Sequence, residues 1–151
     1  MGQQQLLLIV LGVIIVGIAI AVGISMFKSN AQSSNRDQVI NDLNNLAAKA
    51  QQYYRKPTAM AGGGQSFGGF TMAAVDTGNA NGGYWVNGTP GTAGTYTAPP
   101  ATMGGTVGAV GTALDSIYIW GVGTELGNNG SNKVEAVTKV TANGATTIVC
   151  N

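Results

Sequence analysis

Leu6 through Phe27 reads LLLIVLGVIIVGIAIAVGISMF, 22 residues without a charge, and Met1-Gly2-Gln3-Gln4-Gln5 precedes it. As a helix rising 1.5 Å per residue this run reaches about 33 Å, enough to cross a hydrocarbon core of roughly 30 Å. Three readings compete. A secretory signal peptide wants a basic n-region, a shorter apolar core and a small-residue cleavage site; three glutamines and a long apolar run argue against it. A single-span anchor fits the length, although its cytoplasmic flank ordinarily carries Lys or Arg and the first basic residue here is Lys28, after the run. The third is a helix that lies in the membrane before assembly and then packs against copies of itself in a filament. The remainder of the chain has to choose among them.

Immediately downstream the pattern turns amphipathic. Between Asn35 and Tyr54 the apolar residues are Val39, Ile40, Leu43, Leu46, Ala47, Ala50, Tyr53 and Tyr54, spaced by threes and fours. That spacing sets them on one helical face, with Asp37, Asn41, Asp42, Asn45 and Gln52 mostly elsewhere. Asp37 near the start and Lys49, Arg55 and Lys56 at the end complement a helix dipole. Pro57 ends the pattern. Ser33-Ser34-Asn35 offers an N-cap for a separate helix, yet nothing between Phe27 and Arg36 demands a break. The expectation is one helix over about residues 3–56, roughly 75–80 Å long. Residues 1–27 form its apolar half and 28–56 its amphipathic continuation. Gly12, Gly17 and Gly23 carry two readings: close approach of neighbouring helices, or a stretch from Gly12 to Gly17 that unwinds under load.

Residues 57–151 form one small head domain. Most of the 24 glycines fall there. Gly62-Gly63-Gly64 and Gly68-Gly69 read as loop, Phe70–Val75 as a short strand, and Tyr84-Trp85-Val86 as a second before the turn Asn87-Gly88. Residues 88–112 read as a long surface loop. The tail is the most legible part. Ser116–Val122 alternates, with Ile117, Ile119 and Gly121 on one face and Tyr118, Trp120 and Val122 on the other. Lys133–Thr141 alternates likewise, with Val134, Ala136, Thr138 and Val140 on its apolar side. Turns at Asn128-Asn129-Gly130 and Asn143-Gly144, and a last strand over Ala145–Cys150, complete a three-stranded antiparallel meander. The amphipathic half-helix is the nearby element long enough to cover its apolar face. The fold class expected is α+β.

Seven basic residues against six acidic ones leave the chain nearly neutral, which argues against nucleic acid as a partner and against a polybasic lipid-binding cluster. There is no histidine and a single cysteine, Cys150, which removes His-based triads, Cys-rich zinc sites and an internal disulfide. No phosphate loop, nucleophile elbow or dinucleotide fingerprint is present. Asp76, Asp115, Glu125 and Glu135 are scattered and read as surface acids. The stretch Asp76–Gly82 (DTGNANG) lacks the alternating acids of a calcium loop and reads as a turn. Asn87-Gly88-Thr89 and Asn129-Gly130-Ser131 are glycosylation acceptor patterns. Neither catalysis nor a cofactor nor a metal is expected.

A long uncharged N-terminal helix, continued by an amphipathic helix, a Gly-rich loop and an antiparallel meander, resembles a type IV pilin. The resemblance spans the architecture of the whole chain and is specific over residues 1–27. If Met1 is the first residue of the mature form, the resemblance matches it to the position that follows the family's prepilin peptidase cleavage point, usually an N-methylated hydrophobe. Gln5 stands where the family usually has a Glu that neutralises a neighbouring subunit's terminal amine; a glutamine accepts a hydrogen bond there without charge assistance. The helix-melting proline of bacterial members and their second C-terminal cysteine are absent. The function implied is a major pilin: a subunit held in the inner membrane by Leu6–Phe27, then assembled by pilus machinery into a cell-surface helical filament of identical chains. Met1, Gln5, Leu6, Gly12, Gly17, Gly23 and Phe27 are the expected assembly residues. The alternatives are a pseudopilin of a secretion system, and a single-span anchored module whose 88–112 loop or Trp85/Trp120 surface binds a ligand.

Overall fold

The computed structural model describes residues 2–87, 106–107, 114–128 and 130–150. Helix α1 runs unbroken over Gly2–Arg55, 54 residues, about 81 Å at helical rise. With no proline before Pro57 and one apolar stripe continuing into the head, nothing interrupts its hydrogen-bond ladder. Its C-terminus is closed by the loop that follows. The N–H groups of Gly63, Gly64 and Gln65 donate to the carbonyls of Tyr53 (2.8 Å), Lys56 (3.0 Å) and Tyr54 (2.9 Å), satisfying acceptors that a helix end leaves open. The loop must lie very close to do this. A Cβ at Gly62 would collide with the carbonyl oxygen of Lys56, and one at Gly63 with that of Ser66.

The main sheet is antiparallel, in the order β2 (Gly78–Asn79), β3 (Gly82–Asn87), β5 (Ser116–Leu126), β6 (Lys133–Thr141) and β7 (Gly144–Val149). A second pair joins β1 (Phe70–Thr71) to β4 (Thr106–Val107). The expected meander is β5–β6–β7. Two further strands extend it: β3 lies along β5 with Trp85 opposite Trp120, and β2 pairs with β3. The Phe70–Val75 expectation is corrected to a two-residue strand outside the main sheet, followed by a 3-10 turn at Ala74–Asp76. There Phe70 and Met72 are buried without a continuing ladder. Of the expected 88–112 loop, Thr106 and Val107 form β4 and the rest lies outside the described residues.

The sheet has two buried faces. Val39, Leu43, Leu46, Ala47 and Ala50 of α1 pack on Ile117, Ile119, Ala136 and Val140, with Phe67, Phe70, Met72, Tyr84 and Val86 completing the core. The helix passes close over Gly121, where a Cβ would meet Val39 Cγ1 at 2.9 Å and the Tyr84 ring at 3.0 Å. On the opposite face Trp85, Trp120 and Val122 cluster with Tyr118, Val137 and Cys150. The two indoles lie parallel, 6.2 Å between centroids. Glu135, expected as a surface acid, is fully buried, and that expectation is corrected here; Trp85 and Trp120 on the same face are 8% and 2% exposed and form a core, which leaves the anchored-module alternative no indole surface. Alternation assigns Trp120 to this face; it carries no information on whether that face is wet. Cys150 is a free, half-buried thiol, and burial followed by the nearby Glu135 charge raises its pKa above the ordinary value.

Candidate functional site

Among the described residues, Leu6–Phe27 has no buried side chain. Its large apolar side chains are all exposed, from Leu6 at 66% to Phe27 at 77%, whereas Val39, Leu43 and Ala50 further along the same helix are fully buried. A Cβ added at Gly12, Gly17 or Gly23 meets no atom within 4 Å. At about 100° per residue, Gln5, Gly12 and Gly23 fall within about 20° of one another around the axis, while Gly17 points more than about 100° away. The structure therefore gathers Gln5, Gly12 and Gly23 on one line, with Leu6 and Gly17 on another flank and Phe27 between. Met1 lies outside the described residues. The apolar half is long and hydrophobic enough to cross a membrane, and none of it is buried within the chain.

Below this bare half, two asparagines and a glutamine lock α1 to the head. Asn35, only 6% exposed, donates through Nδ2 to the Asn81 carbonyl (2.9 Å) and to Thr124 Oγ1 (3.3 Å). Its Oδ1 accepts from the Glu125 N–H (3.4 Å). Gln32 Nε2 donates to Asn128 Oδ1 at 3.2 Å. Gly123 makes room for this, since a Cβ there would collide with Asn35 Oδ1. Sequence reading took Asn35 for a helix-cap candidate and gave it no partner. Its place one turn before Val39, on the buried stripe, was the available signal.

A second polar cluster holds the middle of the helix. Asp42 Oδ2 accepts from Tyr84 Oη (2.7 Å), Asn79 Nδ2 (2.8 Å) and Asn81 Nδ2 (3.0 Å). Asn79 in turn accepts the backbone N–H groups of Asn81 and Gly82, the self-bonded turn that DTGNANG encodes. Lys49 pairs with Asp76 at 2.6 Å, and a cleft of about 190 Å³ opens between them. Among the described residues no group of three or more His, Cys, Asp or Glu could hold a metal ion. Asn87 closes β3 opposite Tyr118, and Asn129 lies outside the described residues.

Burial pushes the Asp42 carboxyl up, but the hydrogen bonds from Asn81, Tyr84 and Asn79 outweigh it and leave the group below its ordinary 3.8. Burial, reinforced by Asp42, drives the Tyr84 hydroxyl well above its ordinary 10.0. As pH falls, the unfolded chain takes up the Asp42 proton first, so this carboxylate stabilises the fold above about pH 4 and stops doing so as pH drops through its lowered folded value. The contribution of neutral Tyr84 is complete below pH 10 and is lost as pH rises above that. We expect the full chain in detergent to lose melting temperature below about pH 4. Asp42→Asn should cost about 1–3 kcal/mol at neutral pH, because the new amide has to face three donors with half the acceptor capacity. The same substitution should flatten the acid limb and also weaken the alkaline one, because Asp42 reinforces the rise of the Tyr84 hydroxyl. An unchanged acid limb would assign it to other carboxylates.

Set against protein-family models, curated proteins and solved structures, the chain matches none of them. The architecture stands on its own geometry: one long N-terminal apolar helix packed by its C-terminal half on an antiparallel sheet, a pilin-like arrangement.

Proposed function

We propose that this chain is the structural subunit of an extracellular type IV pilus-like helical filament. One observation carries the reading. A single helix buries one stripe, Asn35 to Ala50, over its C-terminal half and buries no residue over the other, and that bare half is uncharged from Leu6 to Phe27. Such a surface requires lipid or copies of itself. In the membrane it would wait as a span; in the filament the same side chains would line a core of parallel helices, with the near-neutral heads outside. Lipid and the helix core are equally apolar, so register would come from packing at Gly12 and Gly23 and from polar contacts of Gln5 and the Met1 amine, not from hydrophobic transfer. A pseudopilin would share this geometry and differ in filament length and abundance. The anchored-module reading loses the Trp85/Trp120 surface on which it partly rested, because both rings are buried.

Electron microscopy of the producing cells, with mass spectrometry of sheared filaments, tests the proposal. The expected result is long thin filaments made mainly of this chain, whose N-terminal peptide identifies the mature start. Surface filaments lacking the chain would sink it.

A further inference from the structure

At the foot of the head, where the bare helix enters it, Lys28 and Gln32 of α1 face Glu125, Leu126, Asn128 and Gly130 of the β5–β6 turn across a cleft of about 470 Å³. The size lies within the range of small-ligand sites. Three observations give it a chemistry. Lys28 and Glu125 line the same cleft with opposite charges. Leu126 holds an apolar side chain 54% exposed beside them. The turn is also rigidly placed: Gly130 and Gly127 close it by backbone hydrogen bonds, Gln32 holds Asn128, and Asn35 holds the Glu125 N–H.

Helical rise then fixes where the cleft sits. If Phe27 marks the hydrocarbon edge, Lys28 stands about 1.5 Å and Gln32 about 7.5 Å beyond it, within a headgroup layer roughly 5–8 Å thick. We infer that this cleft binds the headgroup of a zwitterionic phospholipid bearing a primary amine, with Lys28 on the phosphate, Glu125 on the ammonium and Leu126 toward the acyl chains. A primary ammonium donates charge-assisted hydrogen bonds to a carboxylate, and a quaternary ammonium has no N–H to give. The head would thus be seated on the bilayer at one height and orientation before assembly, and would have to release a lipid to leave. The inference rests on the membrane-inserted state proposed above.

The test uses the full chain in phosphatidylcholine bicelles, titrated with phosphatidylethanolamine or with phosphatidylglycerol. Amide shifts of Gly127, Asn128 and Gly130 report the cleft, and quenching of the Ile15 amide by a lipid-soluble paramagnetic agent reports insertion. Phosphatidylethanolamine should saturate the turn shifts at a fraction about fivefold lower than phosphatidylglycerol. Lys28→Gln should weaken both by about fivefold, the worth of one interfacial cation. Glu125→Gln should remove the preference for the amine and leave the phosphate contact. Ile15 quenched with turn shifts indifferent to headgroup, or a preference that survives Glu125→Gln, overturns the inference alone. Ile15 unquenched overturns the membrane reading and the inference with it.

Discussion

Ile15→Lys is expected to remove the chain from filaments while leaving its head folded. Ile15 lies near the middle of Leu6–Phe27 and is 58% exposed. A lysine at the centre of a span costs about 2.5–3.5 kcal/mol of insertion, which lowers the membrane-inserted fraction on the order of a hundredfold. In a helical filament the penalty would recur at every subunit, in a core without water. Fractionation of cells and sheared filaments measures the outcome, and near-ultraviolet circular dichroism of the detergent-solubilised chain checks that Trp85 and Trp120 keep their packing. Gln52→Lys, on the outer side of the helix within the head, is the control and should assemble normally. Wild-type filament yield from the Ile15 variant would sink the proposed assembly mode.

Leu43→Ala should have the largest effect on folding. Leu43 has no exposed surface and sits at the centre of the stripe that α1 lays on the sheet. Truncating such a leucine costs about 2–5 kcal/mol, transfer and cavity together. At about 3 kcal/mol the melting midpoint of a head this size would fall by roughly 15 °C. Leu43→Met keeps the volume and should cost less than about 1.5 kcal/mol. Thermal unfolding of the full chain in detergent, followed by tryptophan fluorescence, gives both numbers. A fall no larger for alanine than for methionine would mean that the helix–sheet contact is not what holds the head together.

The parts of this fold legible in sequence share a property: their signal is periodic and local. Helix α1 was readable because proline-free apolar spacing runs to Pro57, and β5 to β7 because alternation and Asn143-Gly144 coincide. Phe70–Val75 misled because an apolar run records burial, and Phe70 meets that demand in a two-residue strand and Met72 in the loop beyond it, without a longer strand. Asn35 and Asp42 were missed as anchors because a polar residue beside an apolar stripe looks like one facing water; their partners lie 37 to 90 residues away. Alternation places Glu135 and Trp120 on the correct face, but whether a second face is covered is a tertiary fact that no strand pattern contains. The proposed assembly residues rest on composition, and their division into a Gln5–Gly12–Gly23 line and a separate Gly17 needs the helix to be continuous.

That continuity has a mechanical consequence. Tension applied to the bare half of α1 enters the head along the helix axis, parallel to the surface on which Val39, Leu43, Leu46 and Ala50 rest. The contacts are then loaded in shear, so the stripe, the Asn35 and Asp42 bonds and the loop plugged onto the carbonyls of Tyr53, Tyr54 and Lys56 resist together. A force applied sideways would instead peel them off one turn at a time. The head is built to be pulled lengthwise and is weakest when bent.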